Sequence, residues 1–230
     1  MAHVFGTSSA HTSAATSPVT FSFTTAASDT VLVLMLKVDG ALERVGGAPT
    51  FGGVTMTQAD ITRKAITGIE ASAELWYLES PAAGAQTVSI PNTGAVVVYH
   101  MAATGRAGAG FASALDQANG AGTTGTNPSP GAVTTTVNGA IGFAIVATGA
   151  QTWAPSAQAG TVLNNTDDGT TGTGRQYHLQ ATAGATTLSW TFATSEDYGA
   201  VVAYFKESAF PFRFRRNPLL NDAVNRAATY

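Results

Sequence analysis

The sequence contains no cysteine, so neither disulfide bonds nor thiolate metal sites can hold its fold. Only 11% of its 230 residues are charged, and the net charge is −3 at pH 7. The longest apolar run, residues 31–36, ends at Lys37 and is far shorter than the ~18 residues that a membrane span needs. The first residues lack the basic and apolar regions of a secretory signal, which argues against export. We therefore expect a fold held by burial and backbone pairing, without a membrane role.

The sequence does contain many short apolar segments that are rich in β-branched and aromatic residues and end at Gly, Pro, Asn or Asp. This pattern is typical of β-strands. The predicted strands cover residues 19–24, 30–38, 50–57, 73–78, 86–90, 95–102, 132–137, 140–147, 175–181, 186–192 and 198–205. Strands that recur this often predict an all-β antiparallel sandwich or barrel. A chain of 230 residues is long enough for one large β domain or two small ones, and we favour a single domain that forms a body over residues 1–205.

Glycine pairs and small-residue segments predict the turns and loops. Gly52-Gly53 supplies the positive φ that a reversal or bulge needs, and Asn138-Gly139 predicts a two-residue hairpin between the strands on either side. Residues 105–131 form a long segment that is rich in small residues and almost uncharged, and residues 164–174 are similar, so we predict loops there.

The last 25 residues, 206–230, differ in composition from everything before them. They carry five basic and two acidic residues, a net charge of 5 − 2 = +3, so the remainder carries −6. Phe210, Phe212 and Phe214 alternate with Pro211, Arg213 and Arg215, which places the rings on one side of an extended segment. A segment this short cannot bury its own rings, so it is either disordered or bound to another surface.

We expect this segment to be a docking arm that ends in a short helix. Asn217 can cap a helix whose first position is Pro218, and Leu220 and Val224 then share its apolar side. The residues predicted to bind a partner are Phe210, Phe212, Arg213, Phe214, Arg215, Arg216, Leu220 and Val224. An acidic protein surface is the favoured partner, because so few arginines make few phosphate contacts and an acidic body repels nucleic acid.

No residue pattern predicts catalysis or metal binding. The four histidines lack metal-ligand spacing, and Asp167-Asp168-Gly169 is explained by a turn as well as by a calcium site. Glu74 and Glu79 could be a glycosidase pair, yet solvated charges on one strand explain them equally. We therefore expect no enzyme activity and no cofactor.

The three tryptophans raise the alternative of sugar binding. Trp76 and Trp190 lie in predicted core strands, which leaves Trp153, close to a loop, as the candidate platform for a sugar ring. A carbohydrate-binding adhesin module is therefore the second interpretation.

The segments PTFGGVTMTQ (49–58), AELWYLESPAAGAQTVSI (73–90) and LSWTFATSEDYGAVVAYFKE (188–207) resemble a jelly-roll or concanavalin-like β-sandwich domain found in tailed-phage virion proteins and bacterial surface proteins. The resemblance covers about residues 19–207 and implies a jelly-roll sandwich in a virion or surface setting. It carries over no site residues. We expect a non-enzymatic structural protein of a tailed-phage particle, a capsid decoration or minor head protein. Its expected partners are capsid proteins or neighbouring copies in a homo-oligomer, within a virion assembled in the host cytoplasm.

Overall fold

The computed structural model describes residues 2–39, 46–66, 69–92, 97–148, 156–157, 160–167 and 172–209. These residues form strands, turns and irregular segments, and no helix occurs among them. In chain order, the strands are β1 Val4–Ser8, β2 Thr12–Ala14, β3 Val19–Thr25, β4 Val31–Asp39, β5 Thr50–Phe51, β6 Val54–Thr55, β7 Thr57–Ile66, β8 Ile69–Glu79, β9 Gly84–Ile90, β10 Val97–Arg106, β11 Phe111–Gly125, β12 Val133–Thr135, β13 Ala140–Thr148, β14 Ser156–Ala157, β15 Thr161–Asp167, β16 Gly172–Gln180, β17 Gly184–Thr186, β18 Trp190–Thr191 and β19 Glu196–Ala209.

All strand pairings are antiparallel. Sheet 1 has the order β1-β10-β4-β8-β7, with β2 also paired to β10, and sheet 2 has the order β11-β19-β13-β16-β15. Sheet 3 has the order β3-β9-β5-β6, and two small pairs, β12-β17 and β14-β18, complete the arrangement. The predicted all-β fold with antiparallel pairing is thus confirmed.

Three hydrophobic clusters stack these sheets into layers. The first combines Leu34 of sheet 1 with Val88 of sheet 3, and the second combines Val33 of sheet 1 with Phe143 of sheet 2. The third combines Val146, on the other side of sheet 2, with residues of the small pairs. β4 and β13 are apolar on both sides because each lies between two layers, as the sequence predicted for residues 30–38. The result is a β-sandwich-like arrangement in which sheets 1 and 2 form the central layers.

Two segments predicted as loops are strands. Residues 111–125 form β11, which pairs with β19 from Phe111↔Ala209 to Gly125↔Glu196. Residues 164–167 and 172–174 belong to β15 and β16. The prediction was wrong because ladder hydrogen bonds need only the backbone, so small residues can pair wherever a neighbouring strand is present.

The turn chemistry was predicted in part. Gly52 and Gly53 have φ of 56° and 80° and reverse the chain between β5 and β6. Gly139 also has positive φ, 75°, yet the hairpin predicted around Asn138-Gly139 is wrong. β12 pairs with β17, whereas β13 pairs with β16 and β19. The chain changes layer at this turn because β13 is apolar on both sides and needs a central position.

Candidate interaction surface

The last strand, β19, is an inner strand of sheet 2, and residues 210–230 follow it directly in the chain. It lies between β11 and β13 and is paired along both of its edges. Val201, Ala203 and Phe205 alternate into the central core, which explains why this segment is a strand. β19 continues past the boundary expected after Phe205 and ends at Ala209, paired with Phe111.

Two charged residues at the end of β19 are bound within the body. Lys206 Nζ lies 3.1 Å from Asp116 Oδ1, and the backbone N–H of Gly108 donates to Glu207 Oε1 at 2.6 Å. Burial alone would raise the pKa of Asp116, but hydrogen bonds from Thr136 and Lys206 lower it below its usual value. Residues 206–209, which include these two, belong to β19, so the rest of the arm is residues 210–230. It carries four arginines and one acidic residue, Asp222, so its net charge is 4 − 1 = +3.

A surface cavity of about 340 Å³ lies beside the point where β19 ends. Its lining includes Val4, Ala27, Thr30, Arg106, Gly110 and Phe111. Arg106 is partly exposed, and its Nε donates to Asp29 Oδ1 at 2.8 Å; the other carboxylate oxygen accepts from the Ala26 N–H. The cavity therefore combines apolar side chains with one cation whose charge is balanced.

A buried chain of hydrogen bonds lies next to this cavity. His3 Nε2 is 2.9 Å from Ser113 Oγ, and Ser113 Oγ is 2.7 Å from Thr30 Oγ1. Both His3 Nδ1 and the His3 backbone nitrogen lie close to the Gly139 carbonyl. Burial lowers the pKa of His3. This His–Ser pair resembles part of a nucleophile system, yet both residues are only 1% exposed, so the pair joins two parts of the fold and is closed to a substrate.

The other end of the two central sheets contains two buried cations. Lys37 lies 4.7 Å from the centre of the Tyr99 ring and 3.7 Å from Asp39 Oδ2. Arg175 donates from Nη2 to the Tyr99 carbonyl at 3.1 Å, and its Nε has no hydrogen-bond partner among the described residues. Burial, with the charge of Arg175 as the second cause, lowers the pKa of the nearby His100 to about 4.

All of the predicted site residues lie outside the described residues. They are Trp153 and the residues of the arm, Phe210, Phe212, Arg213, Phe214, Arg215, Arg216, Leu220 and Val224. Trp76 and Trp190 are buried in the core, as predicted.

Glu74 and Glu79 do not form a catalytic pair. They lie on opposite sides of β8, and Glu74 is buried with its Oε2 accepting a hydrogen bond from Trp76 Nε1 at 2.8 Å. The interpretation of both as solvated charges is therefore wrong for Glu74. His100, predicted as a satisfied or surface histidine, is buried, stacked on Phe21 and hydrogen bonded to Thr12.

Within the described ranges, no group of three or more metal-ligating side chains is placed to hold an ion. No helix in this part of the chain is long and apolar enough to cross a membrane. Comparison of the chain with protein-family models, with curated proteins and with solved structures gave no match.

Sequence reasoning missed the Arg106–Asp29 pair, the Lys206–Asp116 pair and the His3–Ser113 contact. Each joins residues far apart in the chain, and no local motif marks them. Nothing in the sequence indicates that Asp29 and Asp116 are buried, because isolated carboxylates in turns and small-residue segments are usually exposed to water.

Proposed function

We propose that this chain is a non-enzymatic structural protein of a tailed-phage particle, a capsid decoration or minor head protein that its C-terminal arm anchors. Its partners are then capsid proteins or neighbouring copies, and its location is the virion. The proposal rests on the resemblance of three body segments to virion β-sandwich domains and on the placement of the arm.

The observation that carries this proposal is the position of the last strand. Residues 210–230 follow a strand that is hydrogen bonded along both edges, so an anchoring force on the arm would reach the centre of sheet 2. The described strands supply both sides of each hydrophobic cluster, so the sheets have core partners without the arm. Residues 1–209 carry −3 − (+3) = −6, opposite in sign to the arm, which favours an acidic receiving surface.

We also propose that the body is of the jelly-roll type. Support comes from nested pairing in the first half of the chain: β1 pairs with β10, β3 with β9, β4 with β8, and β5 with β6. A long hairpin folded over into two sheets produces this nesting, which is the arrangement of two Greek keys. In this description β2 extends the edge beside β1, and β7 is an added edge strand. The short helix after Pro218 belongs to the same proposal as the end of the arm.

The test is incorporation into particles. The double substitution Phe212→Ala with Phe214→Ala should abolish incorporation, because burial of each ring contributes on the order of 1.5–3 kcal/mol. The matched double substitution Arg213→Ala with Arg215→Ala should only weaken it in a salt-dependent manner, since screened pairs contribute roughly 0–1 kcal/mol each. Normal incorporation of the double phenylalanine variant would contradict the proposal.

The adhesin alternative has a separate test. Saturable binding to a glycan array that Trp153→Ala abolishes would favour a carbohydrate-binding module. Cosedimentation with particles and no glycan binding would favour the structural role.

A further inference from the structure

The two central sheets have the same strand order. Apart from β2, which extends the edge beside β1 and has no counterpart among the described strands of sheet 2, the strands of sheet 1 occur along the chain as β1, β4, β7, β8 and β10. Those of sheet 2 occur as β11, β13, β15, β16 and β19. Replacing each strand of the first series by its counterpart in the second converts the order β1-β10-β4-β8-β7 into β11-β19-β13-β16-β15. The covering pair β3-β9 corresponds in the same way to β12-β17.

The registers agree residue by residue. In sheet 1, Val33 pairs with Ala103 on one side and with Tyr77 on the other. In sheet 2, Phe143 pairs with Ala203 and with Tyr177. The equivalent rows are therefore Ala103-Val33-Tyr77 and Ala203-Phe143-Tyr177, and both tyrosines point into the shared central cluster.

Two register shifts also recur at equivalent places. β1 shifts after Phe5, which pairs with Gly105, and β11 shifts after Leu115, which pairs with Phe205. β7 shifts between Gln58 and Asp60, and β15 shifts between Val162 and Asn164. Bulges are specific features that related structures retain, so two shared bulges are strong support for a common origin.

A buried carboxylate occupies the same place in both halves but comes from different residues. In the first half, Asp29 accepts from the Ala26 N–H and from Arg106. In the second half, Asp116 accepts from the N–H of Thr136, the equivalent of Ala26, and from Lys206, the equivalent of Arg106.

In each half, a glycine occupies the position that corresponds to the carboxylate of the other half. Gly6 is the equivalent of Asp116, and Gly139 is the equivalent of Asp29. A Cβ on Gly6 would collide with Thr104 Oγ1 and would also lie 3.0 Å from Asp29 Oδ1, so the first half has no room for a second carboxylate at this position. The pairing of a carboxylate with a cation and an amide is thus retained although its source has changed.

A short sequence signal agrees with these equivalences. Residues 84–89 read GAQTVS and residues 184–189 read GATTLS. Gly84 and Gly184 both have positive φ, 99° and 149°. Val88 and Leu188, which hold the same place in this motif, are both buried against the neighbouring central sheet.

We infer that the body consists of two copies of one folding unit, residues 2–106 and 111–209, and that the inner side of each unit is a docking surface for a second unit of the same topology. The contact between the halves is reciprocal, as in a two-fold dimer. His3 contacts Gly139, while Ser113, the equivalent of His3, contacts Thr30, which follows the equivalent of Gly139. Phe5 stacks on Tyr177 at 4.3 Å, while the N–H of Leu115, the equivalent of Phe5, lies 3.4 Å from Oε1 of Glu79, two residues after Tyr77.

The test is a cut in the full chain between the units. A protease recognition sequence inserted between Ala109 and Gly110, both exposed, allows the purified protein to be cleaved after folding. The two fragments should coelute under native conditions. After complete denaturation, separation and remixing, they should recover the circular dichroism spectrum and the coelution with a yield similar to that of the uncut chain.

The control is the same sequence inserted between Ala82 and Ala83, in the exposed turn before β9. This cut places β9 and β10 on a different fragment from β3 and β4, so neither fragment holds a whole first unit, and we expect the yield of reassembly to fall at least about tenfold. Equal yields for the two cuts would contradict the division of the body into two folding units. Fragments of the Ala109 cut that refold but elute separately would overturn the docking surface.

Substitutions at equivalent positions of the two units test where the docking surface lies. In the protein cut after Ala109, Ala103→Glu or Ala203→Glu places a carboxylate between the central sheets and should weaken association of the fragments at least about a hundredfold. Thr24→Glu and Thr134→Glu, at equivalent exposed positions, should leave association unchanged. Similar effects for the inner and the exposed pair would contradict the assignment of the surface.

Discussion

The imidazole of His3 and the hydroxyl of Ser113 meet at 2.9 Å between the start of the chain and the first strand of sheet 2. The Ser113 hydroxyl also lies 2.7 Å from that of Thr30, so one oxygen joins three segments. Because all three side chains are at least partly buried, loss of the hydroxyl leaves polar atoms without water to replace it.

Ser113→Ala should therefore lower the free energy of unfolding by about 1–3 kcal/mol. Ser28→Ala, at an exposed position of the β3–β4 turn, should change it by no more than about 0.5 kcal/mol. Urea unfolding of both variants at pH 7.5 measures the difference. Equal effects would show that the hydrogen-bond chain contributes nothing specific.

Stability should fall as the pH falls below 6.5, because His100 is buried in its neutral form. Burial, with the charge of Arg175, lowers the pKa of His100 from 6.5 to about 4. Between these two values the unfolded chain binds the proton and the folded chain does not, so this stability is complete above pH 6.5 and is lost as the pH approaches 4. The loss from this one group is on the order of 3 kcal/mol.

His100→Gln removes this titration but keeps a polar group near Thr12. Urea unfolding between pH 7.5 and 4.5 should show a smaller loss of stability in the variant than in the natural chain. His3 and His178, whose pKa values burial also lowers, will still contribute in both proteins. Parallel curves for the two proteins would contradict the assignment to His100.

Arg175→Leu should leave stability unchanged or raise it by up to about 2 kcal/mol. Arg175 is fully buried, its Nε lacks a hydrogen-bond partner within the part of the chain that the structure describes, and the equivalent position of the first unit holds Leu75. Replacing a buried charge by an apolar residue of similar size often stabilises a protein. The pKa of His100 should rise in the same variant, since a positive charge is removed. Denaturant unfolding and an NMR titration measure the two effects.

The contrasting substitution is Arg106→Leu. It leaves the buried carboxylate of Asp29 without its cation, so we expect a loss of about 1–3 kcal/mol. If Arg175→Leu costs as much as Arg106→Leu, Arg175 has a structural role that the described contacts do not explain.

Removal of residues 210–230 should leave the thermal unfolding midpoint nearly unchanged, because the described strands supply both sides of every core cluster. Removal of residues 206–230 should lower it clearly. The longer deletion removes the Lys206–Asp116 pair and the part of β19 that pairs with residues 111–114. Calorimetry of the two truncations tests whether the body ends at Ala209 or at Phe205. Equal midpoints would place the end of the structural unit at Phe205.

The sequence predicted the central strands of the sheets better than the edge strands. Predicted strands such as 30–38, 140–147 and 198–205 are central, because continuous β-branched and apolar residues are needed only where both sides of a strand are buried. β1, β7, β11 and β15 lie at the edges of the central sheets and were not predicted. An edge strand buries little, so its side chains can be small or polar, and only a partner strand distinguishes it from a loop.

The candidate interaction surface could be predicted only in composition. The basic and aromatic residues of the arm are evident in the sequence, but the point where the arm begins depends on β19 continuing to Ala209. The duplication was present in the sequence only as GAQTVS and GATTLS, because equivalent core positions such as Val33 and Phe143 share apolar character and no identity.

By itself, then, the sequence determined the class of the fold, the absence of disulfide bonds, the central strands and the unusual composition of residues 206–230. These are local properties that follow from residue type and period. The tertiary structure decided which strands pair, that small-residue segments become edges, and that Asp29 and Asp116 meet cations distant in the chain. It also decided that two sheets with the same strand order pack against each other. These properties depend on which surfaces meet, and a contact between distant residues leaves no mark on the residues between them.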